Sequence, residues 1–279
     1  MTGKLYGIVA GYDGSPGAAQ ALRWAAREAR ARDTELTVCL AWTPDHMELP
    51  TESDRFDLAR QHGQEILTRG LPYAESLLGP GRIRADLAGG PAARVLCERS
   101  RNADMVVVGS RGHSELPGLQ LGSVSWQVAG HASGRVVVVR GPWRPANQPP
   151  GPVVTGVDGS AAGRAAIAFA FEEAVLRGVP LLAVCALTDA PGRLGEIRQI
   201  REDFENLTAD EAKAHPEVSV WHRVLPGTPR SALLAAAAEA QLLVVGARGR
   251  GGFDEMTLGS IAHAVLQYAP CPVAVVRPG

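Results

Sequence analysis

The chain has 279 residues, a formal net charge of -1 at pH 7, and 46% hydrophobic against 20% charged residues. That length suits two domains of roughly 140 residues, with enough apolar content to fill two cores. A near-neutral balance without basic runs removes the electrostatic basis for nucleic-acid binding. No apolar stretch reaches the roughly 18–20 residues that cross a bilayer, so no membrane partner is expected either.

In chain order, short Val/Leu/Ile runs at 5–10, 35–41, 82–88, 104–109 and 135–140 predict strands. Between them, Ala/Arg/Glu/Leu-rich stretches at 16–32, 53–79, 91–102 and 122–132 predict helices. Strands written as continuous apolar runs are buried on both faces, as in a parallel sheet covered by helices. Right-handed βαβ crossovers then give an open, doubly wound α/β domain of five strands. Four cysteines, Cys39, Cys97, Cys185 and Cys271, stand singly in such runs and read as reduced, packed thiols. The N-terminus enters a strand pattern at once and has no signal-peptide core, so a cytoplasmic protein is expected.

The second half repeats the first. Ile8-Val9-Ala10-Gly11-Tyr12-Asp13-Gly14-Ser15 returns as Val153-Val154-Thr155-Gly156-Val157-Asp158-Gly159-Ser160, an offset of 145 that continues through Trp24/Phe169, Glu28/Glu173 and Ala41/Ala186. From Asp104/Gln241 onward the offset is 137, so the second half is eight residues shorter in its polar middle section. The expected layout is therefore a first α/β domain at 1–142, a Pro-rich linker at 143–151, and a second at 152–279.

After the fourth strand comes Gly109-Ser110-Arg111-Gly112, then nine residues, then Gly122-Ser123. The second half has Gly246-Ala247-Arg248-Gly249, nine residues, then Gly259-Ser260. Ligands of doubly wound sheets sit outside the carboxyl ends of the strands, where this loop falls. Glycines there let backbone approach a bulky ligand. The following helix start, with its unpaired N–H groups and positive dipole end, favours an anion. The Ser hydroxyl can cap that helix and donate to a phosphate. Asp13 and Asp158 lie past the first strand of each half, placed to accept from a base amine or ribose hydroxyl, or to form an Asx turn.

On these residues the chain resembles a tandem universal stress protein of the ATP-binding type, and the resemblance covers both halves. It implies five parallel strands per domain and an adenine nucleotide in each. By that resemblance Gly11, Asp13, Gly156 and Asp158 face the adenosine, with Ser15 and Ser160 in the same turns. Ala41 and Ala186 line the adenine pocket through backbone. Gly109, Gly112, Gly246 and Gly249 pack along ribose and phosphates. Gly122-Ser123-Val124 and Gly259-Ser260-Ile261 hold the phosphates, and Arg111 and Arg248 add charge. The implied cofactor is ATP, with Mg2+ as an accompanying ion. Gly11 and Gly156 depart from the larger apolar or proline residue that members often carry there. A branch without the glycine loop does not bind ATP, but both halves here keep it.

No G-x4-G-K-[ST] is present, and Gly249-Arg250-Gly251-Gly252 fails as a dinucleotide fingerprint because Asp254 takes its last glycine position. His113, beside the first loop, has Arg250 as its counterpart, so no paired catalytic base is expected. The reading is a nucleotide-responsive stress regulator without catalytic residues, with a slow ATPase and a nucleotide-independent scaffold as alternatives. The last strands, 136–140 and 273–277, are expected to pair within the chain, with a homodimer as a further assembly.

Overall fold

A computed structural model describes residues 6–44, 52–79, 81–112, 120–140, 150–187, 194–249 and 257–278. The chain divides into a unit at Met1–Arg140 and a unit at Gly141–Gly279. Residues 143–149 of the expected linker lie outside the described residues, as do His113 and 250–254.

The first unit runs β1 (Ile8–Gly11), α1 (Pro16–Ala31), β2 (Leu36–Trp42), α2 (Glu52–Leu78), β3 (Ile83–Gly89), α3 (Ala92–Ser100), β4 (Met105–Gly109), α4 (Ser123–His131) and β5 (Arg135–Val139). Its strands are ordered β3-β2-β1-β4-β5, and the pairs are parallel. The order reverses between β1 and β4. Right-handed crossovers therefore put α1 and α2 on one face and α3 and α4 on the other, and α1 packs on α2 as α3 packs on α4. Covered on both faces, Ile8, Val9, Ala10, Val106 and Val107 are fully buried.

The second unit repeats this with β6 (Val153–Gly156), α5 (Ala161–Arg177), β7 (Leu181–Leu187), α6 (Leu194–Ala214), β8 (Val220–Pro226), α7 (Pro229–Ala237), β9 (Leu242–Gly246), α8 (Ser260–Tyr268) and β10 (Val273–Val276). Its order is β8-β7-β6-β9-β10, again parallel. Among the described residues no helix is long and apolar enough to cross a membrane.

The repeat extends to packing. Trp24 and Phe169 are both buried, and so are the acids Glu28 and Glu173. Each acid is held by an arginine one turn on: Arg32 Nε to Glu28 Oε1 at 2.6 Å, and Arg177 to Glu173. A buried carboxylate needs such a partner, since an unpaired charge there costs several kcal/mol. Helix ends differ more. The residue that reverses the chain after α5 is Gly178, at φ 62°, whereas its counterpart after α1 is Asp33, at φ 52°. A side chain in that left-handed conformation carries strain of about 1 kcal/mol that glycine avoids.

Candidate functional site

Each unit gathers its candidate residues at the carboxyl ends of the strands flanking the order reversal. In the first, the Ser15 N–H donates to Asp13 Oδ1 at 2.9 Å, and Ser15 Oγ accepts from the Ala18 N–H at 3.1 Å. In the second, the Ser160 N–H and hydroxyl both donate to Asp158 Oδ1, at 2.9 and 2.7 Å, and Ser160 Oγ accepts from Gly163 N–H at 2.9 Å. Asp13 and Asp158 thus do form Asx turns, and Ser15 and Ser160 are the caps of α1 and α5. Ser15 is wholly buried in that role. The turn fixes one carboxylate oxygen and leaves the other aimed at the glycine loop. A Cβ on Gly112 would stand 2.6 Å from Asp13 Oδ2, and one on Gly249 2.7 Å from Asp158 Oδ2.

On the side where a Cβ would stand, the first loop glycines meet a helix. A Cβ on Gly109 would lie 2.6 Å from the carbonyl carbon of Gly17, and one on Gly246 2.7 Å from that of Ala162. Glycine is required there because strand end and helix start meet backbone to backbone. The loops are then pinned in the same way. Ser110 N donates to Val139 O and Gly122 N to Ser110 O, both at 2.8 Å, while Ala247 N donates to Val276 O and Gly259 N to Ala247 O, also at 2.8 Å. One further tie exists only in the first unit, from the buried Ser125 Oγ to Gly109 O at 2.6 Å, because Ala262 stands at the matching place.

The start of α4 and α8 corrects the expected cap. Gly122 and Gly259 are the N-caps, and Ser123 and Ser260 are the first helical residues, both exposed. Glycine brings no capping oxygen, so the first-turn N–H groups, including those of Val124 and Ile261, point out of the helix without a side-chain acceptor. Arg111 and Arg248 are exposed on the loops just before.

In the second unit these parts border one cavity of about 900 Å³. Gly156 and Asp158 close one side, and Gly246, Arg248 and Gly249 the loop side. Gly259, Ser260 and Ile261 form the α8 wall, and Ala186 the end of β7. Of the candidates in this half only Ser160 is withdrawn from the lining, into its cap. The cavity also has walls that the sequence did not reveal: Asp203, Phe204 and Leu207 of α6, Leu233 of α7, and Val157 and Cys185. The α6 residues stand in the section where the repeat loses its register, so no matched pattern pointed to them. Burial pushes the Cys185 thiol above its ordinary value, which keeps it protonated and apolar in that wall. In the first unit Ala41 sits at the end of β2, paired in register with Ala88 of β3, as Ala186 pairs with Leu225.

The family model described as the universal stress protein family matches residues 7–140 and again 151–277. The chain belongs to the universal stress protein family. A universal stress protein of Mycolicibacterium smegmatis is 36% identical over 294 residues, covering 98% of this chain and 97% of that protein. The crystal structure of a universal stress protein from Archaeoglobus fulgidus covers 98% of both chains with a TM-score of 0.74 at 22% identity, which is a likeness of fold. A smaller universal stress protein, solved in complex with cAMP, covers 48% of this chain and 97% of its own at 26% identity, with a TM-score of 0.40. This universal stress protein thus matches its tandem relatives along nearly its whole length.

Proposed function

We propose that this universal stress protein binds ATP in each unit and acts as a nucleotide-responsive regulator. The observation that carries the reading is the second unit's cavity, which brings an acid, a glycine loop and an uncapped helix start to one space. Its volume of about 900 Å³ falls within the ~300–1,000 Å³ common for small-molecule and cofactor sites. The phosphates lie at the starts of α4 and α8, where first-turn N–H groups and the helix dipole attract negative charge by about 0.3–2 kcal/mol. The Ser123 and Ser260 hydroxyls, not used as caps, donate to phosphate oxygens. Arg111 and Arg248 add charge at the mouth, and Mg2+ enters on the phosphates. Asp13 and Asp158, each with one oxygen tied into its turn, use the other as an acceptor for ribose. Held in this way, an acid serves recognition better than proton abstraction from water, so the nucleotide is a bound signal and is not turned over.

Calorimetric titration of ATP with Mg2+ into nucleotide-free protein tests this. The expected stoichiometry is two per chain, with no phosphate released on the timescale of binding. Absence of binding heat, together with no adenine nucleotide released on denaturing the purified protein, would refute it.

A further inference from the structure

We infer that Asp203 sets base preference in the second site by accepting a hydrogen bond from the exocyclic amine of adenine; this rests on the nucleotide reading above. Asp203, Phe204 and Leu207 follow one another on α6 at helical spacing, and all three line the cavity. Their position is fixed by two contacts to β8. The Phe204 ring meets His222 edge-on at 5.2 Å, and Thr208 Oγ1 lies 2.8 Å from His222 Nε2. Asp203 is exposed at the cavity edge, where Gln199 Nε2 donates to its Oδ1 at 2.9 Å.

Charge then orients the ligand. The α8 start attracts phosphates, and a carboxylate on α6 repels them, so the triphosphate goes to α8 and the base to α6. There the other α6 side chains, with Val157, offer the ring only apolar surface. The carboxylate of Asp203 is an acceptor without a donor proton, so it rewards a base that presents N–H and is indifferent to one that does not. In the first unit, counting in step from the matched strands β3 and β8, the corresponding residue is Ile66, which offers no acceptor. The first site therefore lacks this selection.

The test compares ATP with purine riboside 5′-triphosphate, which lacks the amine. Titrations use the full chain carrying Gly112→Val, chosen to crowd the Asp13 carboxylate in the first site. A second set uses the unaltered full chain fitted to two sites. With Asp203 present, the second site is expected to prefer ATP by about tenfold, the worth of one good hydrogen bond. Asp203→Ala should bring the two ligands within about twofold by weakening ATP alone. Asp203→Asn, which keeps an acceptor oxygen, should retain part of the preference. In a Gly249→Val chain, where only the first site remains, Asp203→Ala should change nothing. The inference is overturned if Asp203→Ala leaves the ATP preference intact, or if it weakens both triphosphates equally. It is also overturned if the second site prefers GTP over ATP through Asp203. If neither triphosphate binds the unaltered chain, the nucleotide reading itself has failed, and the Asp203 comparison is not what failed.

Discussion

Where β1 ends against α2 in the first unit, Tyr12 lies on Gly70, so closely that a Cβ on the glycine would be 2.5 Å from the ring. At the matching positions the second unit has Val157 and Leu207, both on the cavity wall. One unit places its bulk on the strand and none on the helix; the other divides it between the two. The glycine loops, the Asp turns and the helix starts, by contrast, are alike to within a few tenths of an ångström in their tight approaches. Duplication has therefore kept the glycine loops and helix starts constant while the facing residues of α2 and α6 changed, as expected if, in the proposed function, the helix faces carry selectivity and the loops carry attachment.

The sharpest way to break that parallel is at Gly109 and Gly246. A methyl at either place meets backbone, which cannot step aside as a side chain could. Gly109→Ala and Gly246→Ala should each cost about 3 kcal/mol in urea denaturation, the upper part of the overpacking range. Equal losses uphold the correspondence of the two loops. A loss at one glycine alone shows that the two helix starts are held differently.

A smaller effect separates the units by pH. Burial, with Asp86 adjacent, pushes the Cys39 thiol from an ordinary 9.0 up to about 12. The folded chain keeps a proton that the unfolded chain releases, so stability is intact below pH 9.0 and falls as pH rises toward 12. By pH 10 the loss is about 1 kcal/mol, at a limiting slope of about 1.4 kcal/mol per pH unit. The second unit has Val184 at this position, which does not titrate. Cys39→Val should remove that part of the decline in denaturation curves recorded between pH 8 and pH 10. An unchanged pH profile would show that Cys39 titrates in the folded chain much as it does in the unfolded one.

The smallest expected effect is a gain. Asp33→Gly gives the first unit the residue that the second already uses after its first helix, and should stabilise it by about 0.5 kcal/mol. The Asp33–Arg82 ion pair lost in the change involves an acid 93% exposed, and such pairs contribute little. A net destabilisation would show that this pair matters more than the strain.

Much of this was readable in the chain because repetition supplied its own control. Matched letters aligned Trp24 with Phe169, which the fold then buries, and located both loops at the strand ends. What the letters did not carry was the identity of the neighbour. A glycine records that something comes close, and at Gly109 and Gly246 that something is a helix backbone. Ser123 and Ser260 resemble caps in sequence because the residue before each is a glycine, whose capping depends on φ and ψ alone. Phe204 and Leu207 stayed hidden because the matched blocks in the sequence stop short of α6, and its alignment with α2 could be counted only once β3 and β8 had been placed.

Among the described residues, three helices begin on a hydroxyl that satisfies a backbone donor: α1 on Ser15, α5 on Ser160 and α7 on Thr228. Helices α4 and α8 begin on glycine and have no such oxygen. An anion docked there does for the helix what serine does elsewhere, so it becomes part of the folding equilibrium as well as a guest. Stability then grows as the logarithm of free ligand, by about 2.7 kcal/mol at a hundred times the dissociation constant. If the anion is the proposed nucleotide, the melting temperature would rise with nucleotide concentration, and the empty chain would be the one most open to unfolding.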